Sequence, residues 1–184
     1  MASIFTHLAI AKRFLEKHPG AIKDVGAFYD GNIQPDLCDD KEKSHYGKRR
    51  DDADVLTFHK EKVGVDAFRH QNSIDNDFVR GKLLHLMTDY EFYNNFLDKS
   101  LRTVTREEFS KNNIYTSDYY DEYLAGKYGV TIGMTSLEKE FDETNAKWRQ
   151  KDLERWGTTH PVGKLLFSAQ ELDGFIERMA SVTQ

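Results

Sequence analysis

Cysteine is nearly absent from this chain. Cys38 is the single one among 184 residues, so an internal disulfide is excluded and a reducing compartment is expected. Proline is scarce, at 3 residues, and stretches of alternating polar and apolar residues are hard to find, which favours helices over strands. No apolar run approaches the roughly 20 residues that span a bilayer. The opening stretch MASIFTHLAIAKRF has neither a charged leader before an apolar core nor a small-residue cleavage site, so a cytoplasmic protein is expected. There is no excess of basic charge either. The net charge of −5 argues against general nucleic-acid binding through phosphate contacts. The common catalytic signatures are missing too: no glycine-rich phosphate loop, no G-x-G-x-x-G after a strand, no H-E-x-x-H and no adjacent His-Asp pair of the kind used by HD-type phosphohydrolases. Cys38 has no neighbour that would activate it as a nucleophile.

What is present suits one compact domain spanning residues 1–184. Charged residues make up 31% and aromatics 12%, enough for a solvated surface around a sizeable core. The expected fold is an all-α, single-domain helical bundle. Its centre is residues 78–97, FVRGKLLHLMTDYEFYNNFL, the longest helix-compatible run. At about 100° per residue its side chains fall into three sectors. Val79, Leu83, Leu86, Tyr90, Tyr93 and Leu97 make an apolar stripe, and Asp77, Arg80, Glu91, Asn95 and Asp98 a polar one. The third stripe is Phe78, Gly81, His85, Asp89, Phe92 and Phe96. It points an imidazole and a carboxylate the same way among aromatic rings, with open space expected at Gly81. Burying such groups unpaired costs roughly 2–7 kcal/mol. His85 and Asp89 therefore either share a metal ion or hydrogen-bond to each other or across the core.

The first helix is expected over 4–18, capped by Ser3, with His7 on its apolar side as a core residue or a ligand. A short helix comes next at 21–29. Residues 30–52 hold Gly31, Asn32, Pro35, Gly47 and many charges, and read as a loop. That loop is either plain solvated surface or a stiff carrier for Asp36 and His45. Residues 53–70 look helical but broken near Gly64, with His59 and His70 on the surface. Further helices are expected at 105–113, 115–129, 135–157 and 168–182, with caps at Thr105 and Ser168 and stops at Gly129 and Gly157.

Together, His7, Asp36, His45, His85 and Asp89 form a good ligand set for zinc or a similar divalent ion. The order F-T-H, then P-D, S-H-Y-G and G-x-x-x-H-L-x-T-D, over the first half of the chain, resembles the zinc-dependent phospholipase C family. That family is similar to the single-strand-specific zinc nucleases, and both are helical. The resemblance implies that Asp36, His45, His85 and Asp89 ligate one zinc, that Asp89 bridges to a second ion held by His7, and that Asp36 doubles as general base. The family holds a further zinc with two histidines and a glutamate after the central helix. No histidine lies between Asp89 and His160 here, which leaves Asp118, Asp121 and Glu122 as second-tier oxygen ligands and makes one or two ions the expectation. The implied function is metal-dependent hydrolysis of a small-molecule or lipid phosphoester. The alternative is a non-catalytic helical protein of the same fold with a structural metal or none. Substrate, natural metal and oligomeric state are not legible.

Overall fold

The computed structural model describes residues 2–48 and 50–182; Met1, Arg49, Thr183 and Gln184 lie outside it. The described residues form helices joined by turns, with one isolated bridge between Tyr46 and Val63 and no strand. The all-α expectation holds. In order the helices are α1 (Ile4–Lys17), α2 (Val25–Leu37), α3 (Lys41–His45), α4 (Val55–Glu61), α5 (Val65–Gln71), α6 (Asp77–Glu91), α7 (Arg106–Tyr128), α8 (Glu138–Trp156) and α9 (Ala169–Met179). None is long and apolar enough to cross a membrane.

Several ends obey local chemistry. The Ser3 hydroxyl accepts from Thr6 N–H at the start of α1, and Thr105 accepts from Glu108 N–H at the start of α7. Ser168 and Glu171 form a reciprocal capping box on α9. Gly129 and Gly157 end α7 and α8 at φ of 60° and 70°, where a side chain is disfavoured.

Four expectations need correction. Residues 30–52 are not one loop. α2 continues through Gly31, Asn32 and Pro35 to Leu37, and α3 carries His45. Pro35 lies inside α2 although it has no N–H to donate to the preceding turn. The helix survives its poor formers because α2 packs along α6 more extensively than along any other element. Likewise 105–113 and 115–129 are one helix, α7. The space at Gly81 is not open either: the α2 backbone fills it. A Cβ on Gly81 would stand 2.1 Å from Phe28 O, and one on Gly31 would stand 1.9 Å from Phe78 O. The two glycines let the helix backbones touch. Asp77 fastens the ends, its Oδ2 accepting from Lys23 N–H at 2.9 Å and Asp24 N–H at 2.7 Å.

α6 lies between two apolar clusters. Leu83 and Leu86 pack with Val63 and Phe68 of the smaller one, while Leu84, Phe92, Tyr93 and Leu97 belong to the larger. Tyr93 and Leu97 thus leave the stripe they were expected to share with Leu83 and Leu86. The cause is a π-turn over Phe92–Phe96, closed by Leu97 N–H to Phe92 O at 3.0 Å. A π-turn takes up one extra residue and rotates the rest of the segment by about 100°.

Candidate metal centre

The third face of α6 carries His85 and Asp89 into the crossing with α2, which brings Asp36, and α3 closes the group with His45. All four side chains are buried, and one ligand atom from each lies within 4.8 Å of every other. His7 of α1, fully buried, stacks on His85 with ring centroids 3.9 Å apart.

Hydrogen bonds to the far side of each ring fix which nitrogen faces inward. His85 Nδ1 lies 2.7 Å from Asn32 O. A carbonyl only accepts, so Nδ1 carries the proton and the neutral ring turns a bare Nε2 inward. Ser44 Oγ donates to Pro35 O at 2.9 Å and receives His45 Nδ1–H, also at 2.9 Å. His45 Nε2 therefore faces inward as well. Such outer hydrogen bonds orient metal-ligating histidines.

The inward atoms are His45 Nε2, His85 Nε2, Asp36 Oδ1 and Asp89 Oδ2. His45 Nε2 is 3.2 Å from His85 Nε2 and 3.5 Å from each carboxylate oxygen. His85 Nε2 is 3.9 Å from Asp36 and 3.6 Å from Asp89. Four atoms set tetrahedrally about an ion at roughly 2.1 Å stand roughly 3.4 Å from one another, so these spacings fit a divalent ion. Asp36 Oδ1 and Asp89 Oδ2 have no hydrogen-bond partner although both are buried, and neither has either nitrogen of His7. Bare polar atoms in a core call for a partner, and a cation among these four residues would supply one.

The charges are strongly coupled. Burial pushes the Asp36 carboxyl up, but the facing His85, the nearby His45 and Lys41 together hold it well below its ordinary value. Asp89 behaves in the same way through His45 and His7. Burial lowers His45, yet its contacts with Asp36 and Asp89 outweigh burial and raise it to about 9. Burial and the neighbouring His7 push His85 down to about 3. Without an ion, one proton on His45 bridges to the bare nitrogen of His85 and offsets part of the two carboxylate charges.

The remaining expected residues take different places. His7 Nε2 is 3.4 Å from Asp89 Oδ1 and 3.9 Å from Asp36 Oδ2, so it faces the other oxygen of each carboxylate. Asp89 Oδ1 also accepts from Ala2 N–H at 2.9 Å. Asp118, Asp121 and Glu122 are outside the four-residue group. Asp118 is spent on Arg149 and on His160, whose Nδ1 lies 3.0 Å away. Glu122 is exposed, and Asp121 faces a cavity between α7 and α8. Asp36 is in a helix, not on a loop, held from outside by Lys41, whose Nζ is 3.8 Å from Oδ1 and bonds to Asp36 O. Lys41, Ser44 and the Asn32 carbonyl were not foreseen. A backbone carbonyl leaves no signal in the sequence.

His70 is exposed as expected. His59 is not a surface residue: it stacks on Tyr93 at 4.9 Å and leans on Phe109 at 5.3 Å, and burial drives its pKa well down.

Fold and site define an all-helical protein with a buried two-histidine, two-aspartate group able to hold a metal ion. No family model, curated protein or solved structure matches this chain.

Proposed function

We propose that this protein is a metal-dependent hydrolase of phosphoesters, with zinc as the favoured ion. The carrying observation is the close-set group of Asp36, His45, His85 and Asp89 beside a cavity of about 380 Å³ whose wall includes Asp36. Mixed imidazole and carboxylate donors suit zinc, although manganese and other divalent ions share the set. The resemblance of F-T-H, P-D, S-H-Y-G and G-x-x-x-H-L-x-T-D to the zinc-dependent phospholipases C supports the same chemistry. A divalent ion bound there supplies Lewis acidity toward a phosphoryl oxygen and lowers the pKa of water.

The residues divide the remaining work. His45 and His85 are held by Ser44 and Asn32 and keep their Nε2 atoms aimed inward. Asp89 is the pivot, one oxygen toward those rings and the other toward His7 and Ala2. That arrangement suits a carboxylate shared with a second ion on the His7 side. Of the five residues, Asp36 alone reaches the cavity wall, so it is the group placed to take a proton as an ester is attacked.

The test is hydrolysis of a panel of phosphodiesters and monoesters by zinc- or manganese-loaded protein. Asp36→Asn removes a ligand as well as the base, so turnover per bound ion should still fall by about 10²–10⁴-fold once metal content is normalised. No hydrolysis of any ester by the loaded parent overturns the reading. The burial of the whole group favours one rival, a structural ion without catalysis, since structural sites are closed. Loaded but inactive protein whose melting point falls on chelation would establish it.

A further inference from the structure

The cavity beside the metal centre sets aromatic and aliphatic side chains among polar and charged ones. Ile4 and Phe5 come from α1, Ile114 from α7, and Phe141, Trp148 and Trp156 from α8. Into this mixed wall α7 sets Asp121. Its Oδ1 is buried and has no hydrogen-bond partner, and the nearby Ser3 side chain only partly offsets what burial costs the carboxylate. Of the three cations that line the cavity, Arg149, Lys151 and Arg155, the two arginines are committed elsewhere. Arg149 bonds to both oxygens of Asp118 and lies 3.7 Å from Asp152, and Arg155 sits over the Trp156 ring. Burial, with a smaller push from Asp118, raises the Asp121 carboxyl to about 7. Its charge is thus costly where it stands, and a buried acceptor left unpaired calls for a donor from outside the chain.

We propose that this cavity binds the organic part of a ligand with a flat apolar body and a protonated amine, and that Asp121 selects the amine through Oδ1. A cation is the best complement. It supplies the missing donor, restores the carboxylate where burial disfavours it, and is welcome beside aromatic rings. The inference deepens the functional reading above, on which it rests only for the identity of the reacting group. With Asp36 in the same wall, the cavity would hold an amine-bearing aromatic or alkyl group next to the ester carried to the metal centre.

Trp148 and Trp156 both line the cavity and are the 2 tryptophans of the chain, so their emission reports its occupancy. The probes are 2-phenylethylamine and its neutral counterpart 2-phenylethanol, titrated at neutral pH into zinc-loaded protein. The amine should give a saturable change and bind about tenfold more tightly than the alcohol, the difference a charge-assisted hydrogen bond makes. In Asp121→Asn the two should bind within about twofold of each other. Asp152→Asn, at another carboxyl of the same wall, should keep the preference. Asp121→Ser serves the same purpose if the amide is not tolerated. No saturable change with the amine, equal binding of the alcohol to the parent, or an undiminished preference in the Asp121 variants would overturn the proposal. Because the readout is binding, the two readings fail separately. An inactive protein that keeps the Asp121-dependent preference sinks the hydrolase and leaves this inference standing, and an active one without the preference does the reverse.

Discussion

His45 and His85 point their Nε2 atoms at each other across 3.2 Å, although each ring already spends its Nδ1 proton on an outer partner. Two bare nitrogens repel, so something positive must lie between them: a proton or a metal ion. An ion held by this group would take the place of the proton, so the two would compete.

That competition gives a pH prediction. Free of metal, His45 titrates at about 9 in the folded chain, against about 6.5 when unfolded. Its proton therefore stabilises the fold fully below about pH 6.5, and that contribution is lost as pH rises through about 9. The melting temperature of chelated protein should fall over this window, and His45→Gln should flatten the slope. Zinc affinity should rise over the same interval, with about one proton released per ion, read by calorimetry in buffers of different ionisation enthalpy. A pH-independent melting point in chelated protein would contradict the account.

Asp89→Asn should strip the centre. The amide keeps the shape but removes a charge that both rings and the ion need. Changes to outer partners of metal ligands cost about 10–100-fold in affinity, and loss of a ligand should cost at least the upper end of that range. Metal content after gel filtration measures it; full occupancy in the variant would show that Asp89 is not a ligand.

Gly81→Ala should destabilise the protein by about 3 kcal/mol, since the new methyl meets the Phe28 carbonyl, part of a backbone that cannot swing aside. Forcing α2 from α6 also parts Asp36 from His85 and Asp89. Metal content should therefore fall together with the denaturation midpoint. A neutral substitution would mean that the two backbones are not in contact.

His59→Ala should cost about 1–3 kcal/mol of stability through the lost stack on Tyr93 and Phe109, and leave metal content unchanged. Urea denaturation beside a metal assay separates the two effects. Loss of metal in this variant would connect His59 to the centre.

Much of this site is legible because a helix is periodic. His85 and Asp89, one turn apart on a face with Gly81, can only point together, whatever lies opposite. Asp36 and His45 stand out in the sequence for a wrong local reason, a stiff loop. Gly31, Asn32 and Pro35 disfavour a helix by propensity, and only the close packing of α2 against α6 overrides them, through contacts such as Asn32 with Gly81, 49 residues apart in the chain. The sequence misplaces His59 because its charged neighbours along the chain say nothing of Tyr93 and Phe109 in space. The phase change after Tyr90 is equally hidden, since no residue type announces a π-turn.

The four inward ligand atoms all come from residues 36–89, whereas α7 and α8, which begin after residue 105, build most of the cavity wall. The group able to hold an ion and most of the cavity wall thus come from successive stretches of the chain. Substitutions in α7 and α8 can retune what enters without disturbing the atoms that hold the ion. A library confined to Ile114, Phe141 and Trp148 would explore new ligands at constant metal affinity, which makes this small chain a convenient starting point for directed evolution.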